Sequence, residues 1–265
     1  MKLLDNKVSI IIPALNEESG IGNTISSIPQ TDIRNLGYDL EIIVIDGNST
    51  DCTRQIAREM GARVILQEGK GYGSAYKIGF KAASGNLIVT LDADNTYPAE
   101  IIPECLSQIE KKDLDFISVN RFANLDKDAM SLIRKVGNKV LSFGVLLLYS
   151  FKIQDSQSGM MIMRRSFTDK IILRADGYQL SEELKIIAFK YFKSLEVDGK
   201  YYHRIGKSKL NAVNHGVSNL KYLFVFRKLR KLAVAVPSNP PSVDETLPPS
   251  VDETLPPSVD EALTY

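Results

Sequence analysis

Asn86-Leu-Ile-Val-Thr-Leu-Asp92-Ala-Asp94 is the stretch that decides how this chain is read. Residues 87–91 are branched or apolar almost without a break, the pattern of a strand buried on both faces. Asp92 and Asp94 follow where such a strand leaves its sheet, and alternation puts them on one side of it. Two carboxylates that close repel unless a cation lies between them. Hard oxygen ligands at a strand end suit Mg²⁺ or Mn²⁺, which keep positions open for the phosphate oxygens of a substrate. A pair of solvated turn aspartates ahead of Asn95 and Pro98 has the same spelling, so the pair gains meaning only from its surroundings.

Around this stretch strand and helix patterns alternate. Val8 to Pro13 is an apolar strand, and Asn16-Glu-Glu opens a helix to about Ile28. Leu40 to Asp46 is a second buried strand; Ser49-Thr-Asp51 offers caps for a helix with Ile56, Ala57 and Met60 on one face, stopped by Gly61. Arg63 to Leu66 is a third strand, Gly73 to Ala83 a helix stopped by Gly85, and Pro98 opens a helix before a fifth strand, Leu114 to Val119. Strands separated by single helices imply right-handed crossovers and a mainly parallel sheet in three layers. Ligands bind such sheets beyond the carboxyl ends of the strands. Pro13-Ala-Leu-Asn16-Glu17, Asp46-Gly-Asn48 and Asp92-Ala-Asp94 all fall there.

The 265 residues, 44% of them hydrophobic, suffice for one substantial core. The longest apolar run, Val140 to Phe151, is about half of a membrane span, and the start of the chain has no signal-peptide pattern. Cys52 and Cys105 have no metal-ligand spacing and read as small buried residues in a reducing cytoplasm. The net charge of +1 hides an asymmetry: six acids and no Lys or Arg follow Pro237, so residues 1–236 carry +7. That tail repeats Pro-Ser-Val-Asp-Glu-Thr-Leu-Pro from Pro241 and again from Pro249, and it is expected to be disordered over 237–265.

Further motifs stand in order along the chain: Ile11-Ile-Pro13-Ala-Leu-Asn16-Glu17; Val44-Ile-Asp46-Gly-Asn-Ser-Thr-Asp51; Gly69-Lys-Gly71-Tyr-Gly73-Ser-Ala75; Asp92-Ala-Asp94; Asn120-Arg121; Asp155-Ser-Gln-Ser-Gly159; Glu182-Glu183-Leu; and Arg204-Ile-Gly-Lys-Ser208-Lys209-Leu. With these, residues 8 to about 210 resemble the family-2 glycosyltransferases of GT-A fold, and among them the polyprenyl (dolichyl) phosphate sugar synthases. The resemblance implies an α/β GT-A domain over 1–236, Rossmann-like, with a mainly parallel sheet flanked by helices and a basic amphipathic segment at about 216–236.

It also implies roles. Pro13, Ala14, Glu17, Asp46, Lys70, Gly71, Asp92 and Ala93 would hold the nucleotide sugar, and Asp92 and Asp94 the metal, Mg²⁺ or Mn²⁺. Arg121, Arg134, Arg204, Ser208 and Lys209 would handle the acceptor phosphate; Asp94, Arg121, Arg204, Lys209 and Glu183 are the candidates for the reacting centre. Glu182 and Glu183 equally suit the first turn of a helix. The chain departs from the family at Gly47-Asn48, where a second Asp and a Gly are usual, and at Ala14-Leu15, where an aromatic is usual. Both leave the base open between GDP-mannose and a UDP-hexose as donor.

Between Arg204 and Lys231 stand eight Lys or Arg and no acid. Arg grips phosphate oxygens in pairs and Lys adds a point charge. Leu220 to Leu232 mixes aromatic, apolar and basic residues, as an interfacial helix does or as a packed helix with a basic edge does; 141–151 carries the same two readings. A phosphate acceptor is already an anion and needs cations rather than a general base, whereas a sugar hydroxyl needs the base. His203 and His215 sit in no ligand constellation. The expectation is therefore inverting, metal-dependent sugar transfer to a polyprenyl phosphate by a cytoplasmic enzyme held peripherally on the inner face of the cell membrane, with an anionic surface as partner and no nucleic acid. The rivals are a transferase with a soluble or saccharide acceptor and a non-catalytic anion or nucleic-acid binder.

Overall fold

The structure, a computed structural model, describes residues 6–127, 129–206 and 212–229. In chain order these form β1 (Lys7–Ala14), α1 (Ile21–Ser27), α2 (Gln30–Asn35), β2 (Asp39–Asp46), α3 (Thr53–Glu59), β3 (Arg63–Leu66), α4 (Tyr72–Ala82), β4 (Leu87–Thr90), α5 (Ile102–Lys111), β5 (Phe116–Leu125), α6 (Leu132–Tyr149), β6 (Met161–Arg164), α7 (Arg165–Thr168), α8 (Gln179–Tyr191), β7 (Ser194–Tyr201) and α9 (Ala212–Leu229). The strands make one sheet in the order β3-β2-β1-β4-β6-β5-β7. All neighbours run parallel except at β6, which is antiparallel to both β4 and β5. The expected mainly parallel sheet flanked by helices is therefore present, with one reversed strand in the half where the pattern of single crossovers ends.

Side-chain alternation along the strands feeds two cores. Ile10, Ile12, Val44 and Val89 point to the face covered by α1, α2, α3 and α5. Ile11, Ile43, Ile45 and Ile88 point to the other face, covered by α4, α6, α8 and α9. All eight are buried, each contributing about 2 kcal/mol by removal from water.

Differences from the sequence reading are local. The first helix begins only at Ile21, and a short second one follows it. Pro98 opens a 3-10 turn, Ala99–Ile101, ahead of α5. Asp51 supports the start of α3 by accepting from Thr53 N at 3.0 Å. Cys105 is buried as expected, whereas Cys52 is exposed because it lies at the turn before α3 rather than inside it.

The tips of β1, β2 and β4 share a device. Each is followed by an asparagine in the left-handed region: Asn16 (φ 50), Asn48 (φ 66) and Asn95 (φ 59). Asn tolerates that conformation better than most residues, and it turns the chain sharply off the sheet. The tips are also sewn together: Asn16 Oδ1 accepts from Thr50 N at 2.7 Å, and Asn16 N donates to Ser49 Oγ at 2.9 Å.

Candidate active site

Two pockets open at the carboxyl end of the sheet and meet at the aspartate pair. The first is walled by Pro13, Ala14, Leu15, Glu17, Gly47, Asn48, Gln67, Gly69, Lys70 and Gly71. The second is walled by Arg121, Met130, Ile133, Arg134, Asn138, Leu141, Gln157, His215 and Asn219. Tyr72, Asp92, Asp94, Tyr178 and Arg204 line both.

The first pocket gathers the residues expected around a nucleotide sugar, except one. Asp46 is fully buried behind it: its Oδ2 accepts from Ser49 N at 3.0 Å and faces Arg54 Nε at 3.6 Å, and its Oδ1 is buried without a partner. Gly47 and Asn48 form the wall instead. The glycine loop has a reason beyond ligand approach. Gly71 has φ +109, and a Cβ there would strike the carbonyl oxygen of Asp176. The 175–177 segment therefore lies directly on the loop, and Ser74 N donates to Asp176 O at 3.0 Å.

At the junction Tyr72 Oη donates to Asp92 Oδ1 at 2.7 Å. The ring of Tyr72 stacks on Tyr178 at 4.7 Å, and Tyr178 meets the His215 ring edge-on at 4.8 Å. Asp94 Oδ1 accepts from Thr96 Oγ1 at 2.7 Å. Its Oδ2 pairs with Arg204 Nη1, and Arg204 Nη2 bonds Glu17 Oε1 at 2.5 Å. Arg204 Nε is buried and has no partner. Burial, and then the neighbouring Asp94 charge, push the Asp92 carboxyl up to about 7. A pair of neighbouring carboxylates, Asp94 buried and Asp92 half-buried, is a site that favours a cation. Among the described residues no cluster of three His, Cys, Asp or Glu forms. Mg²⁺ or Mn²⁺ is commonly held by one or two carboxylates together with substrate phosphates and water, and so needs no such cluster. Asp92 and Asp94 are the residues that fit it.

In the second pocket Arg121 is held from behind. Its Nε and Nη2 grip Asp155 at 2.6 and 2.8 Å, and its guanidinium lies over the Tyr201 ring at 5.3 Å. Burial works against the Arg121 charge, but the Asp155 carboxylate outweighs it and holds the pKa well above the ordinary value. Asp155 sits on a loop that Lys185 fastens: its Nζ donates to Asp155 O at 2.9 Å and to Ser158 O at 2.6 Å. Burial lowers Lys185 to about 8.

The structure thus brings together Asp92, Ala93, Asp94, Arg121, Arg134 and Arg204 with Pro13, Ala14, Glu17, Lys70 and Gly71. Glu183 stands apart. It is buried on α8, lines neither pocket, and accepts from the backbone N–H groups of Arg174 and Ala175 at about 3 Å; burial raises its pKa. Ser208, Lys209 and the tail from 237 lie outside the described residues. The sequence reading missed Tyr72, although it stands inside the quoted glycine loop, as well as Tyr178, Asn138, Gln157 and Asn219.

The chain matches the profile described as "Glycosyl transferase family 2" over residues 9–172. The chain belongs to glycosyl transferase family 2. Among this family-2 chain's relatives is a dolichyl-phosphate hexose transferase of Haloferax volcanii, 32% identical, with 80% of this chain and 90% of the relative covered. The low-salt glycan biosynthesis hexosyltransferase Agl6 of the same organism is 31% identical over 82% of this chain, which spans only 53% of its length. The dolichol-phosphate mannosyltransferase of Pyrococcus furiosus is 31% identical over 85% of the chain and 64% of its own length. The GT-A fold recurs in glucosyl-3-phosphoglycerate synthase from Mycobacterium tuberculosis, crystallised with Mn²⁺, UDP and phosphoglyceric acid, at a TM-score of 0.65 and 21% identity over 88% of this chain and 80% of that one.

The outer surface of α6 and α9 differs from the rest. Leu132, Ile133, Val136, Val140, Phe143 and Leu147 are exposed along α6, while Leu141, Val145 and Tyr149 pack inward. On α9 Tyr222 and Phe226 are core residues and Phe224 is exposed, beside the exposed Lys221, Arg227 and Lys228. The inward faces of both helices are packed as a core-facing helix requires, and their outward faces are left exposed. Among the described residues no helix is long and apolar enough to cross a membrane.

Proposed function

We propose that this chain transfers a hexose from a nucleotide sugar to a polyprenyl phosphate, with inversion, at the inner face of the cell membrane. The observation that carries the proposal is the pair of pockets joined at Asp92 and Asp94. One has the glycine loop and the β1 and β2 tips; the other has Arg121, Arg134 and Arg204 beneath an apolar wall of Met130, Ile133 and Leu141.

In this reading the nucleotide lies against Pro13, Ala14 and Asn48, and its diphosphate reaches Lys70 and the aspartates. Asp92 and Asp94 would hold Mg²⁺ or Mn²⁺, which would supply charge neutralisation for the departing nucleoside diphosphate. The chain's own part is electrostatic and geometric. Arg121 and Arg204 position the acceptor phosphate, whose oxygen forms the new bond to the anomeric carbon as the bond from that carbon to the diphosphate oxygen breaks. The acceptor oxygen carries no proton to remove, which agrees with a pocket whose nearest histidine, His215, packs on Tyr178. Tyr72 fixes the Asp92 carboxylate, and Asp155 keeps Arg121 charged and aimed.

The membrane partner is supported by the exposed apolar stripe of α6 beside the second pocket and by the basic edge of α9. Thermal-shift screening of GDP-mannose, UDP-glucose, GDP and UDP, with and without Mn²⁺, tests the donor half. Metal-dependent stabilisation by one nucleotide series is expected; no metal-dependent shift with any of them would defeat the proposal.

A further inference from the structure

Asn219 and Asn138 both line the second pocket and are almost fully buried. Each leaves one amide atom without a partner, but the atoms are opposite in kind: Nδ2 of Asn138 and Oδ1 of Asn219. Their amide orientations are those the hydrogen-bond network assigns. Asn138 Oδ1 accepts from Gln157 N at 3.2 Å and from Ser156 Oγ at 3.3 Å, which leaves its NH₂ as the open group.

Asn219 is fixed by a chain of contacts that starts in the core. Gln157 Nε2 donates to Glu182 Oε1 at 3.0 Å and to Ser156 Oγ at 3.2 Å, so Gln157 turns its Oε1 the other way. Asn219 Nδ2 donates to that Oε1. The Asn219 carbonyl oxygen is thereby left as a buried acceptor in a pocket that also carries Arg121, Arg134 and Arg204, together with Asp92 and Asp94. A phosphate dianion offers acceptors only and would be repelled by it. A hydroxyl donates, and would satisfy an oxygen that otherwise bears the cost of burial without a bond. Between the aspartate pair and the arginines, the group with hydroxyls to offer is the sugar in transit.

We propose that Asn219 is a specificity-determining residue that accepts a hydrogen bond from a hydroxyl of the transferred sugar, held in orientation by Gln157. The proposal rests on the glycosyl-transfer reading above. A saccharide acceptor would present the same hydroxyl chemistry, so the test separates the two sources.

Transfer from GDP-mannose, GDP-glucose, UDP-glucose and UDP-galactose to farnesyl phosphate is measured with the whole chain and Mn²⁺, for wild type and Asn219→Ala. The preference between the better and the poorer epimer is expected to fall about tenfold, the scale of one hydrogen bond. Inhibition by the matching nucleoside diphosphate and the KM for farnesyl phosphate should stay within about twofold, because neither contacts the lost oxygen. If Asn219→Ala loses nucleoside diphosphate inhibition, and so its fold, Gln157→Leu decides: with its tether gone, Asn219 should give the same flattening. An unchanged epimer preference in an active variant overturns the proposal. So does a raised KM for the acceptor with preference intact, which assigns the oxygen to the acceptor side. Absence of transfer by wild type from all four donors overturns the glycosyl-transfer reading itself, while Mn²⁺-dependent nucleotide binding reports separately on the donor pocket.

Discussion

The two pockets are built by different means. The first is made from the tips of β1 and β2 and from the loop between β3 and α4, together with the end of β4: a parallel sheet delivers its ligand groups at consecutive strand ends. The second draws on β5, α6, the 155–159 loop, α8, Arg204 and α9, segments far apart in sequence that meet only through packing. Arg121 is held by Asp155, the Asp155 loop by Lys185, and Gln157 by Glu182. One pocket is a product of topology; the other is a product of a buried polar network, in which each group is costly if left alone.

Substitutions can break this contrast, beginning at the junction. Asp94→Ala should reduce turnover on the order of 10³-fold, because it would remove one of the two carboxylates proposed to hold the metal and leave Arg204 with Glu17 alone. Calorimetry should show metal-dependent nucleotide affinity lost with it and the melting temperature little changed. If metal-dependent binding survives, the junction does not hold the ion.

Asp155→Asn should strike the second pocket alone. It leaves the largely buried Arg121 guanidinium without its counter-charge, so kcat/KM for the acceptor should fall about 100-fold and stability by about 3 kcal/mol. Nucleotide affinity, measured by the same titration, should not change. Equal loss on both sides would show that the two pockets are one unit.

The outer faces of the same helices give a smaller effect. Changing Lys139, Lys221, Arg227 and Lys228 to Gln should weaken binding to anionic vesicles about tenfold at physiological salt, each charge near such a surface being worth up to roughly 1 kcal/mol before screening. Transfer to a short, water-soluble polyprenyl phosphate should be unaffected. Undiminished vesicle binding would remove α9 and the Lys139 region of α6 from the membrane reading.

The least effect is a pH dependence. Lys185, faced by Asp155, Arg121, Glu196 and Glu182, is lowered by burial to about 8 in the folded chain against about 10.4 when exposed. Between those values the unfolded state holds the extra proton, so wild type should gain stability relative to Lys185→Met as pH rises from about 8 to 10, on the order of 1 kcal/mol. Urea unfolding of both proteins at the two pH values checks it; a constant difference would mean that Lys185 is not a buried charge.

The contrast also explains what was legible in the sequence. The β1, β2 and β4 tips could be read directly, because an apolar run ending in Asp or Pro marks both the strand and its ligand end. Pro13, Glu17, Lys70 and Asp92, expected around a nucleotide sugar, line one pocket. Glu183, expected from the resemblance with a helix first-turn role as the alternative, lies outside both pockets, and no motif marks that its carboxylate would accept from the backbone of 174 and 175. Asn138 and Asn219 had no signal at all. Nothing in α6 or α9 marks one amide over another until packing leaves Nδ2 of the first and Oδ1 of the second unpartnered. On α9 the mixed aromatic, apolar and basic pattern left an interfacial and a packed helix both open; Tyr222 and Phe226 turn inward and Phe224 outward, as a helical period with one buried face requires.

The central claim is that the second pocket takes a lipid phosphate. Incubation of the whole chain with Mn²⁺, a radiolabelled nucleotide sugar chosen by the binding screen, and farnesyl phosphate in competition with free hexoses tests it most directly. The account predicts label in an acid-labile, solvent-extractable sugar phosphate, lost on chelation and in Arg121→Ala. Label transferred to the free sugars, with farnesyl phosphate untouched and Arg121→Ala fully active, would contradict it.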